Sequence, residues 1–476
     1  MRRAFVFLAA FGFVASLVVA KRSPISDNAC GQSDLRLTKS PVQSLTKEQR
    51  SDSASLDMER LGKAIFFDKN LSNPPGLACA SCHNPEAGYA GSSSSEINQS
   101  LGIMPGAAPG RFENRNPPTI TYSKFCPGGP PRFNMRLQSY VGGMFRDGHA
   151  ADLTEQVHFP LLHPNEMNNI VDNRSAPQLV VEKVRTGQNA KLFQKVFGAD
   201  TFAQPTDKVF QLIAQAIVAF ESSRELSPFS SKYDAYLAGK AQLTASELSG
   251  LELITGLEGG TPGGGFRKSA RCTACHAIES DRRESGSLFT QYCYANIGVP
   301  KNPKNPYYGE TDNTTNPLGY NPLGSDYIDL GLGGCLYPLK GLPSGNLGLG
   351  NNGKGDFLFV NGNFKVPTLR NVDKRPNPAF VKAYMHNGYF KSLKDVVHFY
   401  NTRNLTTDPK EVIDFNKPEP YVALKGKPLW PPPEYPDTML NPEGAPGQVG
   451  NLLLTEAEEN DIVAFLKTLS DGYFTP

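Results

Sequence analysis

Four cysteines and two histidines fall in two identical patterns, Cys79-Ala80-Ser81-Cys82-His83 and Cys272-Thr273-Ala274-Cys275-His276. Thiols three residues apart on one helical turn reach the two vinyl groups of one porphyrin edge and form thioethers. The next residue then turns its imidazole toward the iron. A redox dithiol or half of a zinc site uses the same cysteine spacing. The dithiol needs a strand before it and a helix after it, whereas the flanks here are Pro- and Gly-rich (73–76 and 261–265). A zinc site leaves both adjacent histidines without a task. Two such motifs in one chain point to two covalently attached c-type haems, the cofactors expected here.

Thioether attachment suits a protein that leaves the cytoplasm, and the N-terminus reads that way. Arg2 and Arg3 precede an almost wholly apolar run from Ala4 to Val19 and a small-residue end, Val18-Val19-Ala20. Residues 1–20 are read as a cleavable signal peptide rather than an anchor, because Lys21, Arg22 and a polar stretch follow at once. No later stretch is apolar for long enough to cross a bilayer, so no membrane span is expected after cleavage, and the expected compartment is the periplasm. There an unpaired thiol is a liability. The remaining cysteines are Cys30, Cys126, Cys293 and Cys335; of their three connectivities, a Cys293–Cys335 bridge would pin the Asn/Pro/Gly-rich segment between them.

The chain has 476 residues, enough for two domains, and its 48 Lys plus Arg nearly balance 46 Asp plus Glu. Without residues 1–20 the formal charge is zero, so the basic stripe that nucleic acid requires is missing. Helical periodicity marks 46–67 (Leu56, Leu61, Ala64, Ile65), 207–223 (Val209, Ile213, Ile217, Phe220), 244–257, 381–401 and 454–469. Thr455 and Glu458 have capping-box spacing. Strand alternation is scarce. The expected fold is mainly α: two cytochrome c-like helical domains, each with one covalent haem, joined by long loops. After a polar lead-in (21–50), the domains are expected at 51–240 and 241–476, with an ordered insertion at about 294–360 in the second.

With these motifs in hand, the chain resembles the bacterial dihaem cytochrome c peroxidase and MauG family over about four fifths of its mature length. The resemblance rests on Leu61–Asp68 with the first haem motif, Arg115-Asn116-Pro117-Pro118-Thr119, and Phe145–Gln156 leading to Asn165-Glu166-Met167. It continues through Phe364–Asn371, Tyr384–Gly388, Leu393–Tyr400 and Leu454–Leu469. It implies a peroxidatic haem at His83 and an electron-relay haem at His276. It makes Glu166 the acid–base residue over the open iron face, with Gln156 beside it. The chemistry stands by itself: breaking the peroxide O–O bond heterolytically needs a proton moved from the inner oxygen to the outer, which a positioned carboxyl can do. Without the resemblance, Glu166 reads as a surface glutamate.

Several positions depart from the peroxidase pattern. Leu101–Glu113 contains no histidine where peroxidases carry a blocking one, so the first haem is expected to be five-coordinate and open. Tyr400 stands where peroxidases place methionine as the second haem's distal ligand, as in MauG-like proteins, while Met385 lies in a neighbouring loop. A phenolate favours the ferric state and a thioether the ferrous; the alternative for Tyr400 is a core aromatic. Arg146 replaces the usual inter-haem tryptophan, the only tryptophan being Trp430, and His149 stands where the family usually has arginine. Asn116 matches a residue near the family's calcium site, and is equally a turn cap. His158, His163 and His398 read as surface or core residues, and His386 as a neighbour of the second haem. The expected activity is reduction of hydrogen peroxide with electrons from a small redox protein. The alternatives are a MauG-like oxidase acting on a partner-protein side chain and a non-enzymatic electron carrier.

Overall fold

A computed structural model describes residues 52–256, 268–278, 286–336, 359–406 and 427–474. The expected signal peptide, the polar lead-in, Cys30 and part of the insertion (337–358) lie outside the described residues.

The described chain is mainly helical. In order, its helices are α1 (Asp52–Phe66), α2 (Cys79–Cys82), α3 (Ser95–Ser100), α4 (Leu153–Leu162), α5 (Pro177–Thr186) and α6 (Ala190–Phe197). They continue with α7 (Thr206–Glu221), α8 (Lys232–Leu237), α9 (Ala245–Thr255), α10 (Leu332–Leu336), α11 (Leu393–Thr402) and α12 (Glu456–Lys467). The strands form only two-stranded antiparallel pairs: β1 (Arg132–Asn134) with β2 (Ser139–Val141), β3 (Ile170–Val171) with β4 (Arg174–Ser175), and β5 (Tyr294–Ala295) with β6 (Phe364–Lys365).

Two separate hydrophobic cores form around two crossed helix pairs. In the first, α1 lies on α7 and buries Leu61, Ile65 and Phe66 against Ile213, Ile217 and Phe220. In the second, α9 lies on α12 and buries Leu253 and Ile254 against Ile462, Phe465 and Leu466. Each crossing turns on one glycine: a Cβ at Gly62 would sit 1.8 Å from the Ala216 carbonyl oxygen, and one at Gly250 2.0 Å from that of Asp461. Only glycine lets the two backbones approach so closely.

Most periodic segments are helices where expected, with their caps. Thr455 Oγ1 accepts from the Glu458 N–H while Glu458 reaches back to the Thr455 N–H, and Thr244 with Glu247 does the same for α9. Two corrections arise. Leu56, counted on the apolar face of the first helix, is half-exposed. The segment 381–391 is not helical: Met385 and Gly388 both have left-handed backbone, and a Tyr384–Phe390 bridge closes a loop. The helix starts only at the Ser392 cap, whose Oγ accepts from the Asp395 N–H. Apolar residues at helical spacing there reflect a buried loop, which periodicity does not distinguish from a helix.

The segment expected as an insertion in the second half folds over the first. Asn165 Nδ2 donates to the Gly319 carbonyl (2.9 Å), Asn316 Nδ2 to Asn165 Oδ1 (2.7 Å), and Arg111 to the Thr315 carbonyl (2.5 Å). Among the described residues, no helix is long and apolar enough to cross a membrane.

Candidate active site

The first motif folds as one helical turn, α2, with His83 just beyond it. His83 Nδ1 lies 3.0 Å from the Pro118 carbonyl oxygen and 3.3 Å from that of Tyr89. Committing Nδ1–H to backbone leaves the Nε2 lone pair free for a metal, and it fixes the ring's orientation. Burial pushes His83 down to about 4, so the imidazole is neutral near neutral pH. The Arg115–Thr119 turn thus has a local task, since it supplies one of these carbonyls. Thr119 Oγ1 ties the same turn to the Gly88 carbonyl at 2.7 Å.

The second motif repeats this arrangement. Cys272–Ala274 form a 3₁₀ turn, and His276 Nδ1 lies 2.9 Å from the Phe289 carbonyl oxygen, with the Pro367 carbonyl also within hydrogen-bonding reach. Thr368 Oγ1 donates to the Leu288 carbonyl at 2.6 Å. Tyr89 and Phe289 both have left-handed backbone, with φ of 55° and 52°. In each half, then, an aromatic residue in a strained turn and the Pro of a Pro-Thr pair hold the motif histidine. These pairs escape a search for sequence repeats because two matching residues are too short to stand out.

Both motifs have the donors that a covalent haem needs. Among the described residues six cysteines are free, including all four of the motifs, and the first pair opens on a cavity of about 480 Å³, a size typical of ligand pockets. Cys79, Cys82 and His83 line it, and so do Gln156, Glu166 and His163. Met104 and Pro105, from the segment without histidine, also face it. A second, polar cavity of about 410 Å³ lies against the first, sharing Pro164, Ile170 and Leu318.

Glu166 sits in the turn after α4, its N–H donating to the His163 carbonyl (3.1 Å) and its own carbonyl accepting from the Ala107 N–H (2.7 Å). Gly106 is required for this approach, because a Cβ there would lie 2.2 Å from the Asn165 carbonyl oxygen. Burial, and then the nearby charge of Glu113, push the Glu166 carboxyl up to about 8; His163 opposes them. His163 is not a bland surface or core residue as expected: its Nδ1 lies 2.6 Å from Glu113 Oε1 on the cavity wall. Sequence reading missed this pair. The signal was the spacing of His163 and Glu166, three apart, with Glu113 at the edge of the Arg115 motif.

Between the halves, Arg115 holds Asp329 through two bonds (2.6 and 2.7 Å) and Asp147 at 2.7 Å, and Asp147 accepts from His149 Nδ1 at 2.6 Å. His149 stacks on Phe145 at 3.9 Å. Arg146 lines the first cavity and donates from Nε to the Asn116 carbonyl at 2.8 Å. Asn116 itself reaches the second half, its Nδ2 donating to the Ala383 (3.1 Å) and Met385 (3.2 Å) carbonyls. His386 stacks on Phe364 at 3.7 Å and lies 3.2 Å from Glu434 Oε2. Trp430 lies in the second core, with Nε1 donating to Thr402 Oγ1 at 3.0 Å.

Tyr400, on α11, is close enough to Cys275 and Cys272 for their charges to act on it, and burial above all pushes its phenol far up. Met385 packs partly buried against the same core, its carbonyl bonded to Asn116. His158 is a core residue stacked on Phe210 at 4.8 Å, and His398 pairs with Glu459 at 2.9 Å. The expected Cys293–Cys335 bridge is not formed. Cys335 is disulfide-bonded, whereas Cys293 is free and hydrogen-bonded to Cys275. Spacing along the chain could not show that Cys293 is drawn to the haem motif. Cys126 is also free, 3.6 Å from Lys365 Nζ.

Comparison with known proteins agrees with this geometry. Residues 57–242 match the family model of the di-haem cytochrome c peroxidases. The chain is 30% identical over 417 residues to the methylamine utilization protein MauG of Paracoccus denitrificans, covering 87% of this chain and 89% of that one. It is 27% identical to the cytochrome c551 peroxidase of Nitrosomonas europaea over 80% of this chain and 79% of the other. Among solved structures, the diheme peroxidase BthA of Burkholderia thailandensis superposes with a TM-score of 0.62 at 28% identity, covering 88% and 87% of the two chains.

Proposed function

The chain belongs to the dihaem cytochrome c peroxidase and MauG family, and from that premise we propose that it reduces hydrogen peroxide in the cavity beside His83, in the periplasm, after loss of residues 1–20. Two bound haems would supply the redox chemistry, one meeting peroxide and the other passing electrons to it. Cys79 and Cys82 hold the first and Cys272 and Cys275 the second, with His83 and His276 as the iron ligands. The two domains expected at 51–240 and 241–476 would each be built on one of the two cores, although Tyr233, before that boundary, packs in the second.

The observation that carries this reading is the presence, on the wall of one cavity, of a histidine with a free Nε2 and the carboxyl of Glu166, which burial pushes up. Glu166 moves a proton from the inner to the outer peroxide oxygen. Gln156 orients the peroxide by hydrogen bonding. The polar cavity beside Arg111 and Asn168 is the way in for a small, uncharged oxidant. Tyr400 would supply a further protein ligand to the iron of the second haem; its position near Cys272 and Cys275 favours it over Met385. Asn116 has Nδ2 committed, which leaves Oδ1 as its only donor for calcium, the hard-oxygen chemistry that this ion prefers.

Electrons come from a small redox protein. The MauG-like alternative, oxidation of a partner-protein side chain, is favoured by Tyr400 and by the segment 101–113 without histidine. Optical and EPR spectra of the oxidised holoprotein, before and after one equivalent of peroxide, test the reading. One high-spin and one low-spin haem, no methionine-type near-infrared band and direct reaction with peroxide are expected. A His/Met signature with peroxide reactivity only after one-electron reduction overturns the assignments of Tyr400 and the open first haem. Rapid turnover with reduced cytochrome c favours the peroxidase over the MauG-like oxidase.

A further inference from the structure

Glu166 can shuttle a proton between the two peroxide oxygens, but that transfer is neutral overall. Full reduction, H₂O₂ + 2 H⁺ + 2 e⁻ → 2 H₂O, consumes two further protons. They must reach a site lined largely by apolar side chains, Leu318 of the second half among them. The same wall carries a second acid–base pair that the shuttle does not use. His163 Nδ1 lies 2.6 Å from Glu113 Oε1, and both side chains line the cavity with Glu166. The pair is joined to Glu166 through the backbone of the turn after α4.

Resting on the reading that Glu166 moves the peroxide proton, we propose that the Glu113–His163 pair is the proton reserve of this site. It holds a proton on His163 beside Glu166 and hands it on once the O–O bond is broken. The oxygen left behind then takes that proton, a second one relayed from solvent through the same pair, and two electrons from a one-electron donor protein. It leaves as water.

The charges around the pair fit a reserve. His163 faces Glu113, Glu166 and Glu310; burial works against its charge, but the three carboxyls raise it to about 9. Glu113 is partly buried, yet His163 and Arg115 hold it below the ordinary carboxylate range. Glu310, from the segment that folds over from the second half, is raised by burial to about 8, with Arg111 and the Phe112 N–H opposing. Near neutral pH the group therefore keeps protons on His163 and Glu166 and a negative charge on Glu113. Two groups whose surroundings drive their proton affinities apart are the usual mark of acid–base partners. A purely structural ion pair that clamps the 101–113 segment to α4 is the alternative.

The test uses the holoprotein oxidised with one equivalent of hydrogen peroxide and then returned to its resting spectrum with ascorbate. His163→Gln keeps a hydrogen-bonding side chain but carries no mobile proton. Its reaction with peroxide is expected to stay within about twofold of the parent, while the return slows about tenfold or more. The parent's return should slow as pH rises through about 9, where His163 gives up its proton, and the variant's should not. Glu113→Gln should slow the return as well. An unchanged return in His163→Gln overturns the proposal. So does an equal loss of both steps, which assigns the pair to the first proton transfer or to structure. Should His163→Gln fail to load both haems, the parent decides: a return that does not slow across that pH overturns the proposal. Glu166→Gln tests the underlying reading separately, because undiminished reaction with peroxide there refutes the shuttle whatever His163→Gln does.

Discussion

The two halves hold their motif histidines in the same way and differ in what faces them. Each has a glycine at its helix crossing, Gly62 on Ala216 and Gly250 on Asp461. Each aims its histidine with an aromatic carbonyl and a Pro-Thr turn. His83, however, lines a cavity with Glu166, Glu113 and His163 also on its wall. Around Cys272 and Cys275, the described residues bring up the phenol of Tyr400 and the apolar second core. One scaffold therefore carries two different surroundings. Carboxyls over an open cavity suit proton-coupled chemistry, and a phenol in an apolar core suits a filled coordination sphere and electron storage.

The sharpest way to break this contrast is Glu166→Gln. Peroxide reactivity should fall by about 10²-fold or more, while the low-spin signal of the second haem stays as it was; stopped-flow spectroscopy and EPR on one sample check both. Tyr400→Met acts on the other half. It should raise the potential of the second haem by on the order of 100 mV, seen by spectroelectrochemistry, with the first haem's reaction with peroxide retained. If neither potential nor low-spin signal moves, Tyr400 is a core aromatic and Met385 becomes the ligand to test.

The shared scaffold can be probed at its crossings. Gly62→Ala and Gly250→Ala should each cost about 1–3 kcal/mol through forced separation of the helices, measured by denaturant unfolding, and each should weaken the haem signal of its own half first. A smaller, pH-dependent effect belongs to Glu221, on α7 beside Cys79. It is buried, one carboxyl oxygen has no partner, and burial pushes it up to about 8. Its folded value lies above the ordinary 4.5, so the unfolded chain ionises first as pH rises. Stability is therefore lost between about 4.5 and 8. Glu221→Gln should remove that loss, raising stability by roughly 1–4 kcal/mol at the upper end and little at the lower. Equal slopes in parent and variant would show that this carboxyl is solvated.

What could be read along the chain was local chemistry. The Cys-x-x-Cys-His motifs, the caps at Thr244 and Thr455 and the helices of each crossing depend on residues within a few positions of one another, and backbone geometry then leaves few choices. The loop at 381–391 was misread because its apolar residues are buried without being helical. Other features needed the folded chain. His163 meets Glu113 across 50 positions, Tyr400 approaches Cys272 and Cys275 from α11, and the segment near Gly319 covers a cavity that belongs to the other half. Cys293 turns to Cys275 and not to Cys335. Such pairings depend on which distant surfaces pack together, and the proton affinities at Glu166 and His163 depend in turn on that burial. The sequence by itself determined two Cys-x-x-Cys-His motifs, the pattern of covalent haem attachment; only the tertiary structure decided which of them lines a cavity with carboxyls on its wall, because desolvation and charge pairing act through space and leave no mark on spacing along the chain.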